Sequence, residues 1–91
     1  MQNNYIYRYN NRTMLEPQLL ASLIRKHRKA AKLSQVQLAE MAGVGKTAVF
    51  DLEKGKETVQ LDTLRKILAV LNIKVQLNSP FLNQIVNHEK G

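Results

Sequence analysis

A small, mainly helical domain of four to five helices, followed by a single C-terminal β-strand that pairs across a dimer, is the fold class this sequence predicts. Three observations carry the prediction. Apolar residues recur at helical spacing through Leu20, Leu23, Ile24 and again through Leu61, Leu64, Ile67, Leu68, Leu71. Between those stretches Ser34 stands three residues before Gln37, the spacing of a reciprocal helix cap, and Gly43 follows where that helix must stop. Beyond them Ile73, Val75 and Leu77 alternate with Lys74, Gln76 and Asn78, the period of a strand. The chain divides accordingly into an N-terminal arm over 1–15, a helical domain over 16–72, a strand over 73–78 and a tail over 79–91.

Taken in order, the arm is Asn-rich and carries Tyr5, Tyr7 and Tyr9 at alternate positions. Alternation suggests a strand, while the instability of a short unpaired strand suggests a mobile arm whose Arg8 and Arg12 reach into a minor groove. Met14 is an alternative start. The first helix is predicted from Pro17, tolerated in a first turn, to about Ala31, with Leu20, Leu23, Ile24 and Ala31 inward. Arg25, Lys26, Arg28, Lys29 and Lys32 cover the rest of its surface, and His27 falls near the apolar side as a half-buried packing residue. The second helix starts at Gln35 and buries Leu38, Ala39 and Ala42. Ala39 is small enough to let the next helix cross closely, with Val44 plugging the gap. That next helix, about Lys46 to Lys54, turns Val49 and Leu52 inward. A fourth runs from roughly Gln60 to Leu71 and closes the core, with Asn72 as a left-handed cap. The tail, stopped by Pro80 and carrying Phe81, Leu82, Ile85 and Val86, reads equally as a short partner-binding helix or as disorder.

The letters L-S-Q-x-x-L-A-x-x-x-G-V-x-x-x-x-V-x-x-L-E-x-G, from Leu33 to Gly55, resemble the helix-turn-helix of the Cro and phage-repressor family, and the similarity extends from about Leu20 to Leu71. The resemblance implies a repressor-like fold in which Arg28 and Glu53 form a structural ion pair and Gln35 anchors a DNA phosphate. Gly45, in place of the family's hydroxyl cap, leaves its backbone able to approach the sugar-phosphate chain, and Lys54, Lys56 and Arg28 are weaker phosphate candidates. Helix-turn-helix geometry makes the Lys46–Lys54 helix the reader of the major groove. Lys46 suits guanine O6 and N7 or a phosphate, and Thr47 suits a base edge or a thymine methyl. Phe50 and Asp51, a turn later, depart from the family pattern. The Phe50 ring either presses on a thymine methyl or turns into the protein. Asp51 either accepts from a cytosine amino group or penalises wrong sites.

A lone strand needs a partner, either the Tyr5–Tyr9 segment or the same strand of a second molecule, and a helix-turn-helix domain followed at once by one strand further resembles the HipB-type antitoxins. This implies a homodimer joined through Ile73, Lys74, Val75, Gln76 and Leu77, an inverted-repeat operator in double-stranded DNA, autoregulation of the operon, and a HipA-like kinase toxin as partner.

Composition agrees with a polyanionic partner. Fourteen Lys and Arg against seven Asp and Glu give a net charge of +7, which suits nucleic acid or an acidic protein surface. The absence of cysteine excludes disulfides and thiolate metal sites and fits a reducing cytoplasm. Apolar runs are too short to span a bilayer, and the Asn-rich start does not read as a signal peptide. Neither His27 nor His88 has an acid and a nucleophile at motif spacing, and Gly43-Val44-Gly45 is a helix-helix turn rather than a nucleotide loop. No enzyme activity, cofactor or metal is therefore predicted. Two other readings stay open: a free-standing phage-type repressor without a toxin, and a protein-binding adaptor on the same scaffold.

Overall fold

A computed structural model describes residues 16–90, with backbone alone for 88–90. The Tyr5–Tyr9 and Arg8/Arg12 expectations lie outside the described residues. Among the described residues five helices follow one another: α1 (Pro17–Ala30), α2 (Gln35–Ala42), α3 (Lys46–Glu53), α4 (Leu61–Val70) and α5 (Leu82–Lys90). The tail after Pro80 is thus a helix.

Helix starts follow local chemistry. Pro17 opens α1 at a position whose N–H has no intrahelical partner in any case. At α2 the Ser34 hydroxyl accepts from the Gln37 backbone N–H at 3.0 Å, and the Gln37 side chain accepts from the Ser34 N–H at 2.8 Å. That reciprocal cap satisfies two donors that would otherwise be orphaned.

Helix ends share one device. At Lys32, Gly43, Gly55 and Asn72 the backbone turns left-handed, with φ of 62°, 72°, 85° and 58°. In each case the next residue's N–H reaches back five residues: Leu33 to Arg28, Val44 to Ala39, Lys56 to Asp51 and Ile73 to Leu68. Four helices therefore end in the same paired-carbonyl turn, which satisfies the last carbonyls. Glycine adopts this conformation freely at Gly43 and Gly55, and asparagine tolerates it at Asn72, whereas Lys32 carries a strain of about 1–2 kcal/mol. At Gly55 the left-handed backbone is the constraint, since a Cβ there would meet only the end of the flexible Gln18 side chain.

Each of α1 to α4 sets one side chain fully out of water at the centre: Ile24, Leu38, Val49 and Ile67. Around them close Leu20, Ala39, Ala42, Leu52, Leu64, Leu68 and Leu71, with Leu33, Val44, Val59, Val70 and Ile73 partly buried at the margin. Each fully buried aliphatic contributes about 1.5–3 kcal/mol relative to leaving it in water. The main helix pairs are α2 on α3, α1 on α3 and α2 on α4, and α5 belongs to none of them.

Three expectations are corrected. Ala31 and His27 are exposed rather than inward. Ala31 lies in the turn beyond the end of α1, and His27 satisfies its ring Nδ1 against the Leu23 carbonyl at 2.9 Å. Leu61 is 71% exposed, because helical period fixes which face a residue occupies but not how far along the axis its neighbours extend. Residues 73–78, expected as a strand that pairs across a dimer, find no ladder partner among the described residues, so no strand forms there and the expectation belongs to the proposed dimer.

Candidate nucleic-acid interface

The outer face of α3 follows from what its inner face buries. Val49, Leu52 and Glu53 point into the domain, so on a helical wheel Thr47, Phe50, Asp51 and Lys54 take the opposite side. Lys46, Thr47, Phe50 and Lys54 are exposed, as is Gly45 before them. Nothing lies within 4 Å of the place a Cβ would take at Gly45, so the backbone leading into α3 is open to close approach.

Glu53 is the one charged residue buried among the described residues, at 3% exposure. A carboxylate at a helix C-terminus is doubly unfavourable, since it is taken from water and faces the negative end of the helix dipole. Cations offset both. Arg28 grips it bidentately, Nε to Oε2 at 2.6 Å and Nη2 to Oε1 at 3.0 Å. Gln35 donates its amide to Oε1 at 3.1 Å, and Arg25 donates to the Glu53 main-chain carbonyl, the dipole's own end. Burial pushes the Glu53 carboxyl up, but the hydrogen bonds from Arg28 and Gln35 and the charges of Arg28 and Arg25 outweigh it and hold the carboxyl below its ordinary range. The Glu53 hydrogen bond, outweighing burial, in turn raises Arg28. Three helices, α1, α2 and α3, are thereby tied at one point behind the outer face.

This network reassigns two residues. Arg28 gives its remaining nitrogen to the Leu33 carbonyl at 2.8 Å and is 11% exposed, so each of its three nitrogens is engaged inside the domain and the structural pair takes precedence over its phosphate candidacy. Arg25, read from the sequence as one cation of a solvated face, instead holds the end of α3. Its spacing of three from Arg28 puts both on one side of α1, the signal that would have found it.

On the outer face the two departures from the family pattern are placed. Phe50 is 48% exposed rather than turned inward, with the Lys54 ammonium 4.8 Å from its ring centroid. Asp51 meets Lys56 at 3.4 Å across the turn that ends α3, a half-exposed pair that partly cancels its charge. Gln35 keeps one amide hydrogen beyond the one given to Glu53, at the start of α2 and beside Lys46, Thr47 and Phe50. Among the described residues no group of three or more His, Cys, Asp or Glu is placed to hold a metal ion, and no helix is long and apolar enough to cross a membrane.

Comparison with known proteins places this geometry. A helix-turn-helix family model matches residues 24–78. An uncharacterized HTH-type transcriptional regulator, y4mF of Sinorhizobium fredii, is 36% identical over 64 residues, covering 70% of this chain and 84% of that protein. The ImmF control region 10 kDa protein of Bacillus phage phi105 is 31% identical over 78 residues, 86% of this chain and 84% of its own. The control protein C.SmaI of Serratia marcescens is 36% identical over 58 residues, 64% of this chain and 69% of its own. Among solved structures, HipB in a complex with an O4 20-mer superposes with a TM-score of 0.64 at 25% identity, covering 71% of this chain and 92% of that one. A HipA-HipB-O2-O3 complex gives 0.63 at 25% identity, covering 70% and 90%.

Proposed function

The chain belongs to the helix-turn-helix transcription regulators of the Cro and phage-repressor (XRE) type, and from that premise we propose that it works in the cytoplasm as the DNA-binding antitoxin of a HipA/HipB-like pair. In this reading a homodimer lays two copies of α3 in successive major grooves of an inverted-repeat operator and represses its own operon. Lys46 and Thr47 at the start of α3, with Phe50 and Asp51 a turn later, meet base edges. Gln35, the Gly45 backbone, Lys54 and Lys56 hold phosphates.

The observation that carries the DNA part is the outer face of α3. Exposed Lys46, Thr47, Phe50 and Lys54 stand on a helix whose opposite side is locked by the Glu53 network. The toxin part rests on the likeness to HipB, including HipB in a complex with HipA, together with apolar residues left bare after Asn72. The likeness to the phage phi105 and C.SmaI proteins favours a second reading, a regulator of the same DNA mode with no toxin.

Two measurements test this. In a mobility-shift titration on its own promoter DNA, a dimer neutralising roughly 6–10 phosphates should lose about 10³ to 10⁵ in affinity between about 50 and 200 mM salt. A flat response sinks the DNA reading. Co-expression with the neighbouring gene should give a stable complex with a kinase-like protein, whereas DNA binding without any such complex selects the second reading.

A further inference from the structure

The surface presented by α2 and α3 contains a feature that a phosphate-binding face does not need. Val36 on α2 and Phe50 on α3, 47% and 48% exposed, line one notch of about 190 Å³ with Gln35, Lys46 and Thr47. Two large apolar side chains half in water gain nothing from phosphates, which take only charges and hydrogen-bond donors. Along the major-groove edges of the four base pairs, the one apolar group is the C5-methyl of thymine, and methylated cytosine carries the same group at the same position. The Lys54 ammonium lies 4.8 Å from the Phe50 ring centroid, and Lys54 is not among the residues that line the notch. Lys46 and Gln35 stand at the rim, where their donors can take the acceptor or phosphate beside the methyl.

We propose that Val36 and Phe50 together form a seat for the C5-methyl of one pyrimidine in each half-site, making Val36 a specificity-determining residue on the helix that otherwise serves only to anchor the backbone. The proposal rests on the reading of α3 as the major-groove helix. It adds that α2 also reads sequence and that the signal is a methyl group.

The test uses the full chain and duplexes selected by it from a randomised library, followed by replacement of each thymine in turn by uracil, which removes the methyl and leaves every hydrogen-bonding group. Wild-type protein should lose about 3- to 10-fold in affinity at one symmetry-related position per half-site, the scale expected for one buried methyl. Phe50→Ala and Val36→Ala, both at exposed positions, should bind the thymine and uracil duplexes alike while still preferring the selected operator to scrambled DNA. If selection places cytosine at that step, 5-methylation should raise wild-type affinity by the same factor and leave Phe50→Ala unchanged. Thymine-to-uracil changes that are silent at every position, with no gain on cytosine methylation, would overturn the methyl seat while leaving operator binding intact. So would a full uracil penalty retained by Phe50→Ala. Failure to enrich any sequence would instead overturn the DNA reading on which the seat depends.

Discussion

In the four-helix body each central side chain is closed off by residues of the same chain, and its one buried carboxylate accepts three hydrogen bonds. After Asn72 the pattern reverses. Val75, Leu77, Phe81 and Ile85 are 53%, 69%, 62% and 55% exposed, and α5 is absent from the main helix pairs. Yet the segment is not polar: its apolar residues alternate over 73–77 and recur at helical spacing over 81–86, so each half has a one-sided apolar face. In the proposed dimer, that difference assigns stability and assembly to separate residues. A face that the body leaves uncovered costs the monomer solvation and gains it back when a second molecule arrives. Variants in the two regions should therefore fail in different ways.

The largest effect belongs in the body. Arg28→Ala leaves Glu53 buried with its bidentate partner gone and should cost about 3–5 kcal/mol, much of the stability so small a domain has. Thermal unfolding read beside wild type checks it, and an unchanged transition would mean the pair is solvated in solution. Acid probes the same network without mutation. Because the folded Glu53 carboxyl is held below its ordinary value of 4.5, its contribution is complete above that pH and is lost as pH falls through the folded value. The acid transition of wild type should therefore be steeper than that of Glu53→Gln, measured by circular dichroism. Equal slopes would remove Glu53 from the account.

Next in size come the base contacts. Lys46→Ala and Thr47→Ala should each cost about 1–3 kcal/mol on the operator and relax preference at one or two base pairs, whereas Gln35→Ala should weaken all sequences alike. Equal loss on operator and scrambled duplex for Lys46→Ala would move it to the phosphate group.

How far the sequence alone reaches follows the same division. The caps at Ser34 and Gly43 are local signals and the four central apolar residues are spaced ones, while the Arg28–Glu53 pair is legible only through the family resemblance. Exposure at Leu61 and Ala31 depends on where neighbouring helices end, which no periodicity encodes. Left-handed Lys32 breaks the residue preference for its turn, so composition gives no sign of it. The notch between Val36 and Phe50 joins residues fourteen apart on two helices and exists only once those helices cross. Alternation at 73–77 is legible, but its meaning as a strand needs a ladder partner, and the described residues contain none.

The smallest expected effect sharpens the contrast from the other side. Ile85→Ser, on the bare face of α5, should shift the body's unfolding free energy by no more than about 0.5 kcal/mol. The same change should abolish any complex with the neighbouring kinase-like protein, if that helix is the docking element. A large loss of body stability would show that α5 packs on its own domain in solution.

The central claim, that the residues after Asn72 assemble the molecule while the helices before it fold and read DNA, is tested most directly by Val75→Pro. Proline removes a ladder N–H and cannot sit in a paired central position. Sedimentation velocity on wild type and variant, with unfolding and operator binding measured on the same samples, gives the answer. The account predicts a wild-type dimer and a Val75→Pro monomer with wild-type helicity and an unchanged body transition. Operator affinity should fall steeply, because the second half-site, about 34–36 Å away, is no longer held at high effective concentration. A Val75→Pro protein that still sediments as a dimer would contradict it.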